Sequence, residues 1–566
     1  MPLLITELKS GLCPRVPFLA LMLIANSMFP AQSGLANAIA PGHPKFSKFS
    51  NFHHFTHVRN RIGHHVHFGK TPPFSPPGRP PGGSTPPPGG GSPPGGPPPG
   101  GGTSVNLKDF GAVGDGTKDC APAFAAALNA AGQGGTVNVG AGTYALYSDV
   151  NVTTGAHIAG AGASTVLEAT QITTGNRTML TISGPGGGVS NLVISANYGG
   201  KPAFYINGIR VQNTTASFVL DHVTFNSTLQ VAASLINANG VTITNDVFNA
   251  ANGACIFCQG VNNLKVFTNV FNQLGLNGIL GYAPQSTNFD IEGNQFNIGS
   301  GDNYATAITL GGVTNLTIAN NKAVVPADAY LSGFTRLVGG DPSYNGWGPI
   351  SNVNVVNNEC DNCGFYGTGA IWIEASSSGG SGIVSNVTIS GNTITETVQS
   401  SIQANTSLSS GIMCQGELGV PSDAIKGLVI ENNSIIGAGY WGIRTDSSSD
   451  VQILKNAINS CSGTPVGVAG TCAGMLTITG NTSNNCAFDT VADAQKWHVP
   501  MGAVIQIDAP TSGPSSLKNV VVTNNSYTGQ KNNLNWDVDD NVSVSKVPTT
   551  HSGNTNPDLL PDYFAP

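Results

Sequence analysis

The stretch Leu316-Thr317-Ile318-Ala319-Asn320-Asn321 is met again as Val353-Asn354-Val355-Val356-Asn357-Asn358 and as Val387-Thr388-Ile389-Ser390-Gly391-Asn392. Each copy is a short apolar alternation of period two, the mark of a strand with one buried face, with an Asn three positions after its last apolar residue. Working outward, the same unit recurs at Leu192–Asn197, Leu264–Asn269, Phe289–Asn294, Leu428–Asn433, Val451–Asn456, Leu476–Asn481 and Val520–Asn525. Val219 to Val223 and Val241 to Asp246 keep the spacing without the Asn. The shortest intervals are about 23 to 25 residues, which is one coil of three short strands in a parallel β-helix; longer intervals carry insertions. The expected class is therefore all-β, a right-handed single-stranded parallel β-helix (solenoid). Asn suits a coil corner because it tolerates left-handed backbone and its amides can hydrogen-bond from coil to coil.

A second strand follows each Asn. Period two places Ile209, Ile279, Ile308, Ile371, Ile443 and Ile505 in one inward column. The outward positions beside them are Arg210 and Gln212, Leu280 and Tyr282, Thr309 and Gly311, Trp372 and Glu374, Arg444 and Asp446, Gln506 and Asp508, with Phe257 and Gln259 between the first two coils. Aromatic rings, arginines and carboxylates on one exposed sheet face are what a polysaccharide groove needs.

Composition narrows the classes. Only 9% of the 566 residues are charged, while Gly supplies 74 and Asn outnumbers Asp and Glu together. Helical bundles and coiled coils are excluded, because Gly and Asn are poor helix formers and Glu/Lys pairs are scarce. A formal net charge of -7 excludes a polybasic nucleic-acid binder. No acid lies between Lys9 and Lys108, so a cationic leader precedes an anionic body. Residues 1–38 read as a signal peptide, with Lys9 and Arg15 before an apolar run that ends at Ala36-Asn37-Ala38, and the run is too short and Pro-broken to leave a membrane span in the mature chain. Residues 39–70 are a basic, His-rich low-complexity segment, 71–102 a Pro/Gly-rich spacer, 103–530 the β-helix and 531–566 a capping tail. The product is expected to be secreted or held at the cell surface or periplasm.

At the start of the body, Val105-Asn106-Leu107-Lys108-Asp109-Phe110-Gly111-Ala112-Val113-Gly114-Asp115-Gly116-Thr117-Lys118-Asp119 leads into an Ala-rich helical stretch, Ala121 to Ala131, then Gly134-Gly135-Thr136-Val137-Asn138-Val139 and Gly142-Thr143-Tyr144. This resembles the N-terminal cap of the pectate-lyase-like superfamily of rhamnogalacturonase/epimerase-like β-helix proteins. The resemblance implies a capping helix over the open end of the solenoid and a glycan substrate. In catalytic motif it is incomplete. Gly301-Asp302-Asn303, Gly367-Thr368-Gly369 and Gly442-Ile443-Arg444-Thr445 only partly echo the polygalacturonase signatures, and the Asp-Pro-His cluster of the epimerases is missing. A lyase reading pairs Arg336 with Asp341, or Arg444 with Glu374, and needs Ca²⁺; otherwise no cofactor is expected.

The proposed chemistry follows from register. One coil separates Glu374 from Asp446, which puts their backbones roughly 9–10 Å apart, near the upper end of the inverting-glycosidase range. Glu374 is then the acid, Asp446 the base, Arg444 the group that holds Asp446 ionised or meets a uronate, and Asp508 a further carboxylate of the cluster. Trp372, Tyr282, Arg210, Gln212, Gln259 and Arg336 are the expected substrate contacts. Cys360 and Cys363 can close a turn, whereas Cys255 and Cys258 on one strand cannot bridge. Trp497 and His498 form a candidate groove wall. The chain is expected to act on a uronate-containing polysaccharide by hydrolysis, with elimination or epimerisation as alternatives, or else to be a non-catalytic glycan-binding or structural surface protein, as a monomer or a homotrimer.

Overall fold

The computed structural model describes residues 102–564 apart from connecting segments, of which 396–409 and 487–502 are the longest. The leader, the His-rich stretch and nearly all of the spacer lie outside the described residues, as do Asp341, Trp497 and His498.

The body is a right-handed parallel β-helix. One coil runs through Gly369–Ala375, the long strand Val384–Ser390 and the short strand Thr393–Thr395, before Ser410–Gly416 begins the next. Strands of the first kind stack into a 15-stranded sheet, and the long and short strands together form a 29-stranded sheet. In the 15-stranded sheet the inward column is continuous: Ile209, Ala233, Ile256, Ile279, Ile308, Thr335, Ile371, Ile412, Ile443, Val466 and Ile505 are successive Cα partners. The six isoleucines expected in one column are in it. On the short-strand side Phe225, Phe248, Phe271 and Phe296 stack with ring centroids 4.5–5.0 Å apart, the spacing that coil repeat imposes.

Ala121–Ala131 is the capping helix, with Pro122 in its first turn and Phe124, Ala127, Leu128 and Ala131 buried. It carries no charge, so its whole inner stripe can face the first coils. Cys120 precedes it, buried, with its thiol donating to the carbonyls of Val113 and Lys118. At the other end the coils do not stop near residue 530. Trp536–Asp540 and Thr549–Ser552 continue the two sheets, so part of the expected tail is solenoid.

The corner Asn residues form a ladder. Asn269, Asn294, Asn321, Asn358, Asn392, Asn433, Asn456, Asn481, Asn525 and Asn554 are linked in order, each Nδ2 donating to the next Oδ1 at 2.9–3.1 Å. The same Nδ2 also donates to a main-chain carbonyl on the coil before, and each Oδ1 accepts the previous rung's backbone N–H. Such a buried amide has its polar atoms answered. The ladder residues themselves do not take the left-handed backbone expected of them. The residue just before each rung does so: Thr268, Asn320, Asn357, Asn432, Lys455 and Asn524, or Gly293, Gly391, Gly480 and Gly553. Bending and stacking are thus divided between two adjacent positions.

A second, exposed ladder joins Asn239, Asn263, Asn288, Asn315, Asn352 and Asn386, and in the last five the backbone is left-handed. Asn352→Ala is expected to cost about 1–2 kcal/mol, since left-handed backbone disfavours a Cβ, whereas Asn352→Gly should lose less. Urea titration of both variants checks this; equal losses would assign the cost to the side-chain ladder instead.

Candidate active site

The outward side of the 15-stranded sheet was expected to be open, and over much of its length it is covered. Phe257, Leu280, Thr309, Trp372 and Met413 are buried although they point away from the core. Near its N-terminal half the cover is aromatic: Tyr282 meets Phe257 edge-on at 5.3 Å and Trp347 at 5.8 Å. The Trp347 ring lies on Gly311, where any Cβ would collide with it. Gln212 and Gln259 share one outward column with Ile236 between them, and both are half-buried.

The charged residues gather further along. Arg336 on Gly333–Gly339 is the register partner of Trp372 on the next strand. Its guanidinium stacks on the Trp372 ring at 4.2 Å and donates from Nε and Nη2 to Glu374 Oε2 at 3.1 and 2.8 Å. Glu374 is only 4% exposed. Burial pushes its carboxyl above the usual range, Arg336 pulls it back, and the Glu417 carboxyl beside it pushes it up again. Two acids in hydrogen-bond contact hold one proton between them more readily than none.

Glu417 follows directly after the next strand, Ser410–Gly416, and its backbone N–H donates to Ala375 O. One coil on, Asp446 Oδ1 accepts from the Gly416 N–H at 3.2 Å and the Ser447 hydroxyl at 2.7 Å. Glu374 is the partner of Gln415, and Cys414 the partner of Thr445, so a single coil does separate Glu374 from Asp446. Burial also raises Asp446, against the pull of Ser447, Gly416 and Arg444.

Arg444 is placed differently from either expectation. It pairs with neither Asp446 nor Glu374; its Nη2 donates to Asp508 Oδ2 at 2.8 Å, and the guanidinium stacks on Trp441 at 4.6 Å. The reason is reach: Arg444 and Asp446 point outward side by side on one strand, whereas Asp508, two coils on, lies across the groove floor from it. Gln506 Nε2 donates to the other Asp508 oxygen. Each arginine of the cluster is thus laid over an indole and tied to a carboxylate. The sequence reading missed Glu417 and Trp441, which lie just outside the strands where period two assigns faces.

Arg210 and Tyr282 stand apart from this cluster, several strands toward the N-terminus. Among the described residues no group of three or more His, Cys, Asp or Glu side chains is arranged to hold a metal ion. Cys360 and Cys363 form a disulfide, and Cys255, Cys258, Cys414, Cys461, Cys472 and Cys486 are buried in the core. A groove of about 390 Å³ runs elsewhere, along the long strands, lined by Asn263, Lys265, Asn288, Asp290, Asn315 and Asn352 among others. Its amides already bond one another, and it offers no acid pair.

Residues 104–326, the capping helix and the first coils, match the family model described as rhamnogalacturonase A/epimerase, pectate lyase-like. No curated protein sequence matches the chain. Among solved structures, the catalytic unit of a GH87 alpha-1,3-glucanase from Streptomyces thermodiastaticus is 16% identical with a TM-score of 0.44, covering 82% of this chain and 70% of its own. PfbA, a surface adhesin of Streptococcus pneumoniae, is 17% identical with a TM-score of 0.46, covering 65% and 92%. The A-module of the Azotobacter vinelandii mannuronan C-5 epimerase AlgE6 is 16% identical with a TM-score of 0.33, covering 81% and 100%. The pectate-lyase-like match ends at residue 326, before Arg336 and all of the acid cluster.

Proposed function

We propose that this pectate-lyase-like protein is a secreted enzyme that cleaves glycosidic bonds of a polysaccharide by hydrolysis, on the outward face of the 15-stranded sheet. The observation that carries the reading is the gathering of Glu374, Glu417, Asp446 and Asp508 on neighbouring coils of a chain with so few charges. Glu374, whose carboxyl is raised above its ordinary range by burial and by Glu417 against the pull of Arg336, donates the proton to the leaving oxygen. Asp446, oriented by Gly416 and Ser447, takes the proton of the attacking water. A one-coil gap leaves room for that water and suits inversion. Trp441, stiffened by the Arg444 guanidinium laid on it, supplies an apolar face for a sugar ring, while Trp372, buried under Arg336, holds that guanidinium in place beside Glu374.

A non-catalytic glycan-binding protein is the second reading, favoured by the low exposure of Glu374. Incubating the full chain with plant, algal and bacterial glycans separates the cases. New reducing ends without unsaturated-uronate absorbance support hydrolysis, absorbance supports elimination, and binding without product supports the second reading.

A further inference from the structure

Arg336 and Arg444 each have a carboxylate of their own. Toward the N-terminal end of the same sheet, about five strands and roughly 24 Å from Arg336, the balance is reversed. Arg177 and Arg210 lie on neighbouring strands, Arg177–Ile182 and Ile206–Gln212. Among the described residues they have one carboxylate between them, Asp149, whose Oδ1 accepts from Arg177 Nε at 2.9 Å. The Arg177 side chain is 12% exposed, and its Nη1 and Nη2 are buried with no hydrogen-bond partner. Arg210 Nε is likewise buried without a hydrogen-bond partner, and Arg210 makes no ion pair among the described residues. Asp149 is close enough to Arg210 to support its charge, although burial still draws the guanidinium below its usual range. Buried guanidinium N–H groups are costly when unanswered, and the planar fork suits an oxyanion.

We propose that Arg177 and Arg210, flanking Asp149, form a subsite for the oxyanion of an acidic sugar residue, a uronate carboxylate or a sulfate ester. The inference rests on the reading of this face as a glycan groove, and it separates the two tasks along it. Charge recognition sits at the N-terminal end, and bond cleavage at Glu374 and Asp446. The chain would therefore favour glycans carrying an anionic residue several sugars from the bond that is cut.

The test is isothermal titration of the full chain with sodium glucuronate, sodium sulfate and glucose at constant ionic strength. Glucuronate or sulfate is expected to bind, and glucose not to. Arg210→Gln should weaken that binding at least about tenfold. Arg210→Lys, which keeps the charge without the fork, should fall between. If Arg210→Gln does not fold, Arg210→Lys and Arg177→Lys carry the comparison. Binding of glucuronate alone assigns a carboxylate and of sulfate alone a sulfate ester. Binding of neither anion, or equal affinity in the variants, overturns the proposal. Glu374→Gln should leave anion binding unchanged, so failure of the hydrolase reading and failure of the subsite give different results.

Discussion

Glu374→Gln should lower kcat on whichever glycan the chain cleaves by about 10²- to 10⁴-fold, the usual contribution of a positioned proton donor. Gln keeps an oxygen for Arg336 and nearly the same volume, so the circular dichroism spectrum and KM should change little. Asp446→Asn should fall as far, because Ser447 and Gly416 still orient the side chain but no base remains. The pH profile gives a second readout. Activity needs Asp446 ionised and Glu374 protonated. Burial raises both, so both limbs are expected above the ordinary carboxylate range. Arg336 pulls Glu374 down; Arg336→Gln removes that pull, and the alkaline limb should move to higher pH. Full activity in Glu374→Gln and Asp446→Asn would end the assignment.

Stability should fall as pH rises from about 4 to about 8, and Asp246→Asn should remove most of that fall. Asp246 occupies the rung before Asn269, is 1% exposed, and accepts the Val223 N–H on Oδ1 as an Asn would. Its Oδ2 takes the place where the other rungs put an NH₂, and it has no partner. Burial, with Asp221 adding to it, pushes this carboxyl up to about 8 from 3.8. The folded state therefore holds a proton that the unfolded state has released. The stability is complete below the unfolded value and is lost, by about 1.4 kcal/mol per pH unit, as pH climbs to the folded one. Asn has no proton to lose and supplies the missing donor. Urea titrations of parent and variant at pH 5, 6, 7 and 8 check it, and parallel curves would show that Asp246 is not the group responsible.

The fold could be read because its corner requires a particular chemistry. Only an amide both donates and accepts along a stack, so Asn321, Asn358 and Asn392 announce the coil, and alternation then assigns Ile371 and Ile443 their inward places. The same logic passed over Ala233, Thr335 and Val466, which fill that column without looking like core. Alternation says which way a side chain points and not what lies over it. Trp372 and Leu280 were therefore expected in the open, and they are buried. Ion pairing was the least legible feature. Arg336–Glu374 and Arg444–Asp508 join residues 38 and 64 positions apart, and only the accumulated register brings them together.

Along the Asn ladder the partners are as few as 23 and as many as 44 residues apart in sequence, yet the bond between them stays at 2.9 to 3.1 Å. The interior does not sense how much chain is threaded between one rung and the next. Loop length is then a nearly neutral variable for folding and a sensitive one for recognition. A lineage, or a protein engineer, can lengthen, trade or delete corner segments to reshape what the groove accepts while the spine beneath keeps its pitch.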